Sequence, residues 1–186
     1  WDAARFEVPA QRWASLDEPG FGVALINDCK YGYDVRRNVM RLSLLRGPGW
    51  PDPEADVGTH RFRYALYCHD RLDDVVSRAE AFNLPLRVVD GRTADAGAPA
   101  AGALVRLEGA SLSAVKLADD GSGDLVVRFY EHAGAHGSAV IAADGVTGAT
   151  RADLLERPLG DLAVDEGRLR VALRPFELVT ARLRRR

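Results

Sequence analysis

Residues 60–69, HRFRYALYCH, decide the fold class. From Phe62 to Cys68 every second residue is apolar or aromatic, while Arg61 and Arg63 share the other face with Ala65 and Tyr67. Successive side chains of a β-strand point to opposite faces, so this alternation predicts a strand with one face buried. Residues 39–45, VMRLSLL, alternate in the same way and predict a second half-buried strand.

Further strands follow from apolar runs and the turns between them. The continuous run Val23–Ile26 predicts a strand covered on both faces. The segment Asp119–Asp124, DDGSGD, predicts a hairpin loop, and the proline-rich Pro48–Pro53 excludes a central strand. The other strand candidates are Arg87–Val89, Leu104–Leu107, Leu112–Leu117, Leu125–Tyr130, Ser138–Ile141, Arg168–Leu173 and Glu177–Leu183.

A single short helix is predicted at Leu72–Asn83, where apolar residues recur at helical spacing. Asp70 is its candidate N-cap, and Asp73 and Asp74 suit the positive end of the helix dipole. Many short strands with one helix predict an all-β fold, an antiparallel β-sandwich. The Gly-, Ala- and Pro-rich segment inside residues 91–103 is either a sub-lobe boundary or a surface loop.

The composition bounds the class of protein. The chain has 186 residues, 47% of them hydrophobic, and a net charge of −2, so no overall field favours nucleic acid or an acidic membrane. No apolar run approaches the ~18 residues of a membrane span. Two cysteines without ligand-like spacing favour a reducing compartment, the cytoplasm. Because the chain opens on Trp1, we interpret it as a segment of a longer protein.

Motifs for catalysis or metal binding are weak. His132 and His136 are four residues apart, but Gly134 and Gly137 disfavour a helix, so we expect a solvated hairpin loop. Glycosidase chemistry needs two carboxyl groups ~5–9.5 Å apart. The acidic residues here lie mostly in turns, where they support chain reversal. We therefore predict no catalytic residue and no metal site in this chain.

The turn NDCKYGYDV, residues 27–35, is the strongest candidate site. Asp28, Lys30, Tyr31 and Tyr33 gather there, directly after the buried strand. Aromatic faces beside charged groups suit sugar hydroxyls or a partner surface. A tight turn stabilised by local hydrogen bonds explains the same residues equally well, and spacing does not separate the two interpretations.

Several stretches of the chain resemble the C-terminal β domain of bacterial-type family 38 α-mannosidases. They include WDAARFEVPAQRW from Trp1, NDCKYGYDV, PDPEAD from Pro51 and LVVRFYEHAG from Leu125. DLLERPLGDL from Asp153 and LRPFEL from Leu173 also match. The resemblance covers nearly the whole chain and is weakest at residues 91–109. It implies a galactose-mutarotase-like, supersandwich-type fold.

The resemblance also implies a function. In that family a separate N-terminal domain holds a divalent metal, usually zinc, and the nucleophile that hydrolyses terminal α-mannosides. This chain would then be a non-catalytic domain that packs on the catalytic domain and lines the rim of its sugar site, with no cofactor of its own. The resemblance is also compatible with a parent enzyme that forms a homo-oligomer. The residues implied for the rim or the interdomain contact are Phe6, Arg12, Asp28, Lys30, Tyr31, Tyr33, Arg128 and Glu131.

The alternative is a free-standing carbohydrate-binding β-sandwich module. A domain of a larger enzyme predicts an apolar docking patch larger than monomers usually expose. A free-standing module predicts a patch-free surface with a shallow groove lined by aromatic side chains. A self-sufficient hydrolase is disfavoured, because paired-carboxylate and metal motifs are missing.

Overall fold

The computed structural model describes residues 7–88 and 102–185. The chain divides into two compact units, Trp1–Asp90 and Gly91–Arg186. Phe6, Val89 and most of the predicted boundary at residues 91–103 lie outside the described residues.

The first unit contains two three-stranded antiparallel sheets and one helix. The strand orders are β1-β4-β5 and β2-β3-β6. The elements are β1 (Val8–Pro9), β2 (Trp13–Glu18), β3 (Phe21–Asn27), β4 (Gly32–Arg36), β5 (Val39–Leu42), β6 (Tyr64–His69) and α1 (Leu72–Asn83).

Helix α1 has the predicted bounds and buries Val75, Val76 and Ala79. Its N-cap is Arg71, without a side-chain hydrogen bond, so the expectation that Asp70 caps the helix is wrong. Asp73 and Asp74 lie in the first turn as expected, where carboxylates are stabilised by the helix dipole. Leu84 closes the C-terminal end by donating its N–H to the carbonyl of Glu80, at 2.7 Å.

One face of the β2-β3-β6 sheet is covered by α1. The helix contacts all three strands, and the Arg78 guanidinium lies 5.8 Å from the centre of the Tyr67 ring. Residues 60–63 precede the strand, so β6 is shorter than predicted. Its buried side is the one that ends at His69, whereas Leu66, on the opposite side, is 74% exposed. The predicted alternation is present, but α1 covers the face of Tyr67 and His69 and not the more apolar face of Leu66 that was expected to be buried.

The second unit is a sandwich of a five-stranded and a three-stranded antiparallel sheet. The strand orders are β12-β11-β14-β9-β8 and β13-β10-β7. The strands are β7 (Arg106–Glu108), β8 (Ser111–Leu117), β9 (Leu125–Tyr130), β10 (Gly137–Ala142), β11 (Val146–Ala152), β12 (Pro158–Leu162), β13 (Arg168–Leu173) and β14 (Leu178–Arg185).

The core of the second unit lies between its two sheets. Phe129 and Ala181 come from the five-stranded sheet, and Ile141 comes from the other; all three are fully buried. Truncating a buried phenylalanine to alanine typically costs about 3–5 kcal/mol, so Phe129 is a principal stabilising residue. The predicted antiparallel β-sandwich with one short helix is confirmed.

The structure meets some of the local expectations and corrects others. Residues 87–88 form no strand, and Val88 is 96% exposed. The Asp119–Asp124 loop joins the paired strands β8 and β9, as predicted. The segment after Tyr130 is not a hairpin loop, because β9 and β10 belong to different sheets. Glu166–Gly167 is a tight two-residue hairpin turn, in which Asp165 and Arg168 exchange backbone hydrogen bonds at 2.8 Å.

Candidate functional site

The turn between β3 and β4 is organised by a buried asparagine. The side-chain oxygen of Asn27 accepts the backbone N–H of Lys30 at 2.8 Å, and its amide nitrogen donates to the Tyr33 hydroxyl at 2.6 Å. The Tyr33 hydroxyl in turn donates to the carbonyl of Leu25 at 3.1 Å. Because Tyr33 is 0% exposed, it cannot face a sugar or another domain, and this part of the expected site is corrected. Its burial also raises the pKa of the Tyr33 hydroxyl.

Asp28 fastens the same turn to the segment before β6. One carboxylate oxygen accepts the backbone N–H of Arg63 at 2.9 Å, and the other accepts its Nε at 3.0 Å. These hydrogen bonds, led by the backbone N–H, lower the pKa of Asp28 to about 2. The Arg63 guanidinium also lies 4.8 Å from the centre of the Phe82 ring. Asp28 is therefore engaged within the first unit.

Tyr31 is the exposed member of the turn, and Lys30 is partly buried beside it. Tyr31 is 50% exposed, and its carbonyl accepts the N–H of Ala10 at 2.9 Å, which fixes the backbone beneath the ring. The Lys30 ammonium lies 5.3 Å from the centre of the Phe62 ring, within the range of a cation–π interaction. An ordered turn thus carries an ammonium group and a phenolic ring on two consecutive residues.

Arg12 lies beside this turn. Its carbonyl accepts the N–H of Asn27 at 2.8 Å, and its own φ is 70°. A left-handed conformation at a residue with a β-carbon costs about 1–3 kcal/mol and persists where the surroundings enforce it. The structure therefore brings Arg12 and the Lys30–Tyr31 turn together. Phe6, predicted with them, lies outside the described residues.

Arg128 and Glu131 belong to the second unit. Arg128 donates to the Thr180 hydroxyl and to the carbonyl of Leu154, both at 3.1 Å. Glu131 is buried, and its carboxylate accepts the N–H groups of Ala133, Gly134 and Phe176 at 2.8–3.0 Å.

Glu131 is ionised in spite of its burial. Burial raises the pKa of Glu131, but the backbone donors around its carboxylate outweigh that effect and hold the pKa below its ordinary value. Glu131 therefore connects loops rather than offering a free carboxylate at the surface.

Sequence reasoning missed an open apolar groove of about 520 Å³ in the first unit. It lies on the face of the β2-β3-β6 sheet that α1 leaves open. Val23 and Leu25 of β3 and Leu66 of β6 line it, with Met40 from β5. Phe21, at the start of β3, is 49% exposed there. The signal in the sequence was the run Val23–Ile26, which predicted a strand covered on both faces.

Metal ligands do not converge in the described part of the chain. Within residues 7–88 and 102–185, no three His, Cys, Asp or Glu side chains lie where they could hold a metal ion together. The Nδ1 atom of His132 lies 2.8 Å from the Ser111 hydroxyl. In the same residues, no helix has the length and apolar composition needed to cross a bilayer.

Two family models match the chain. Residues 1–54 match "Glycosyl hydrolases family 38 C-terminal domain", and residues 109–181 match "Glycosyl hydrolases family 38 C-terminal beta sandwich domain". These two matches place the chain in the C-terminal region of the family 38 glycosyl hydrolases.

The curated relatives of the chain are α-mannosidases. Human alpha-mannosidase 2C1 is 39% identical over 188 residues, which cover 97% of this chain and 18% of the human protein. The alpha-mannosidase of Saccharomyces cerevisiae is 48% identical over 85 residues, or 45% of this chain and 8% of the yeast protein. The chain thus spans less than a fifth of the length of these relatives.

A solved structure shares the fold. A family 38 glycosyl hydrolase from Enterococcus faecalis superposes with a TM-score of 0.77 at 20% sequence identity. The superposition covers 96% of this chain and 22% of the bacterial one. At this level of identity, the likeness extends to the fold alone.

Proposed function

We propose that this chain is the non-catalytic C-terminal region of an α-mannosidase that hydrolyses terminal α-linked mannose, and that it packs on the catalytic domain of that enzyme. The observation that carries the proposal is the apolar groove beside β3 and β6. A sheet face with Leu66 74% exposed leaves apolar area in water that a covering surface would remove. The relatives, named α-mannosidases, have more than four fifths of their length outside the matched region.

The lining of the groove favours docking over sugar binding. Carbohydrate sites combine aromatic faces with polar groups that bind hydroxyls. Here Phe21 is the one aromatic residue of the lining. The rest of the lining is aliphatic, from Leu16, Val23, Leu25, Met40 and Leu66, or polar, from Asp17, Glu18, Arg37 and Asn38. This composition is typical of a surface that another part of a protein covers, and it argues against a free-standing carbohydrate-binding module.

The rim contact is assigned to a reduced set of residues. Tyr31 is half-exposed and Lys30 is partly buried, and Arg12 and Asp28 support the turn that carries them. Tyr31 offers a flat ring and a hydroxyl, and Lys30 offers three donors for sugar hydroxyls or for a carboxylate across the interface. Arg128 and Glu131 are engaged within their own unit, so we leave them out of the rim.

The metal belongs elsewhere in the enzyme. Residues 7–88 and 102–185 provide no cluster of three His, Cys, Asp or Glu side chains for a metal ion. We propose that the divalent ion, zinc, is held by the catalytic domain. We also propose a cytoplasmic enzyme, because Cys29 and Cys68 are both free and exposed, as expected in a reducing compartment. We propose further that the enzyme belongs to the bacterial type of the family, on the basis of the NDCKYGYDV motif. We also propose that the parent enzyme is a homo-oligomer.

The test is an assay with an aryl α-mannoside on two proteins. We expect turnover by the full-length enzyme and none by residues 1–186, with or without added zinc. Far-UV circular dichroism of residues 1–186 should show β-structure, which excludes a trivial loss of fold. Turnover by residues 1–186 that survives repurification and disappears on a single Asp or Glu substitution within the chain would contradict the proposal.

A further inference from the structure

Phe176 holds an exposed aromatic ring on a backbone that phenylalanine rarely adopts. Its φ is 57°, and the residue is 74% exposed. The left-handed region is unfavourable for a residue with a β-carbon, and an exposed ring gains nothing from burial. Such outliers persist only where the surrounding structure enforces them, and they concentrate at functional positions.

The surroundings do enforce it. The buried carboxylate of Glu131 accepts the N–H of Phe176 at 3.0 Å and those of Ala133 and Gly134 at 2.8 Å. A single side chain therefore joins the loop after β9 to the loop before β14.

A second carboxylate holds the same loop from its other end. Glu177 accepts the backbone N–H of Arg174 at 2.8 Å and the guanidinium of Arg174 at 3.0 Å. It also accepts the guanidinium of Arg151, on β11, at 2.7 Å. The loop at residues 174–177 is thus fixed to a strand as well as to the neighbouring loop.

Gly134 forms the seat of the ring. Its φ is 73°, and a β-carbon added there would lie 2.8 Å from Cζ of Phe176. One side of the ring therefore rests on the glycine backbone, and the rest of the ring points into solvent.

The ring borders an apolar surface. Phe176 lines a shallow pocket with Pro175, Leu159 and Leu178, and the two leucines are 64% and 45% exposed. Arg151 and Arg174 lie at its margin and share the single carboxylate of Glu177, which leaves one positive charge beside the apolar surface. A rigid aromatic residue among apolar neighbours is typical of an interface hot spot, because little entropy is lost when it docks.

We propose that Phe176 is an aromatic anchor that inserts into an apolar pocket on the part of the polypeptide outside this chain. This inference rests on the proposed function, since it takes the parent enzyme as the occupant. The length of the relatives supports that choice, because human alpha-mannosidase 2C1 has more than four fifths of its length outside the match. The anchor adds a contact in the second unit to the groove of the first.

The test is photo-cross-linking in the full-length enzyme with Phe176→p-benzoylphenylalanine. We expect a cross-link within one polypeptide to a peptide outside residues 1–186. The matched control is Leu117→p-benzoylphenylalanine. Leu117 is the last residue of β8 and is 62% exposed. We expect no cross-link from this position to a peptide outside residues 1–186. A cross-link to a second copy, a cross-link to residues 7–88, or no cross-link would each overturn the proposal.

A smaller substitution gives an independent measurement. In the native full-length enzyme, the thiol of a Phe176→Cys variant should react with a maleimide about tenfold more slowly than that of a Leu117→Cys variant, because docking protects it. Equal rates would overturn the proposal. The cross-linking and maleimide experiments test the anchor, whereas the mannoside assay of the full-length enzyme and of residues 1–186 tests the proposed function. Either proposal can therefore fail without the other.

Discussion

The amide nitrogen of Asn27 donates a hydrogen bond to the Tyr33 hydroxyl across 2.6 Å, and both residues are 0% exposed. The same asparagine accepts the N–H of Lys30, so one side chain links the core of the first unit to the backbone of the surface turn. The outward-facing part of the candidate site is therefore positioned by an inward-facing network.

We predict that Tyr33→Phe destabilises the chain by about 1–3 kcal/mol, because the amide of Asn27 and the carbonyl of Leu25 lose a buried partner. The measurement is urea unfolding of residues 1–186. Tyr31→Phe makes the same chemical change at a half-exposed ring and should leave the free energy of unfolding almost unchanged. Similar losses in both variants would show that the buried network contributes little.

Gly22→Ala should be destabilising because the strand leaves no room for a methyl group. The added β-carbon would lie 2.4 Å from a carboxylate oxygen of Asp17 and 2.5 Å from Cε1 of His69. Asp17 is partly exposed and can move, but the buried His69 ring would have to leave the Ser15 hydroxyl, which lies 2.8 Å from its Nε2. Overpacking of this kind costs about 1–3 kcal/mol.

The matched control for that variant is Gly160→Ala, in β12, where a β-carbon meets nothing within 4 Å. Thermal unfolding of both variants checks the prediction. A melting temperature for Gly22→Ala equal to that of Gly160→Ala would contradict it.

The stability of the second unit should fall in acid through Glu177. Hydrogen bonds from the backbone N–H and the guanidinium of Arg174, with a further one from Arg151, lower the pKa of Glu177 from 4.5 to about 2. A carboxylate with a lowered folded-state pKa stabilises the fold above its unfolded pKa. That contribution is lost as the pH falls from about 4.5 to about 2.

We therefore expect Glu177→Gln to melt below the parent chain at pH 6 and to approach it near pH 2. Melting temperatures across this range provide the measurement. Glu108→Gln, an equal change of charge on the exposed β7, is the control and should show no such convergence. A deficit for Glu177→Gln that stays constant with pH would assign the effect to packing instead.

In the full-length enzyme, Tyr31→Ala and Lys30→Ala should each lower kcat/KM about tenfold or more. This factor corresponds to a loss of at least ~1.4 kcal/mol of transition-state stabilisation. The reason is that one fixed turn carries both the half-exposed Tyr31 ring and the partly buried Lys30. Steady-state kinetics with an α-mannoside and the melting temperature are measured together, and Tyr31→Phe separates the ring from its hydroxyl. Lost stability with unchanged kinetics would make the turn purely structural.

Periodicity predicted the elements of the first unit better than their burial. The helix at Leu72–Asn83 and the alternation in β6 are both present. The alternation in β6 predicts two different faces but not which of them is buried. The helix α1 covers the face of Tyr67 rather than that of Leu66, because the direction of the chain after His69 decides the side on which α1 packs. The segment Val146–Ala152 escaped prediction, since its small residues Gly148, Ala149 and Ala152 give no clear alternation.

The candidate site was harder to predict for a related reason. Tyrosine suits a core and a sugar site equally, so the position of Tyr33 between two sheets could not be read from its type. The carboxylate of Glu131 binds the N–H of Phe176, 45 residues later in the chain. Contacts of this range depend on the assembled sandwich and leave no local pattern.

Strand β6 has a consequence for anyone who produces this chain separately. It stands at the end of the β2-β3-β6 order, and its sequence from Tyr64 to Cys68, YALYC, contains no charge and no proline. Natural sheets protect their outer strands with such residues, because an unprotected edge recruits further strands. Produced on its own, the chain is therefore expected to aggregate edge to edge through β6.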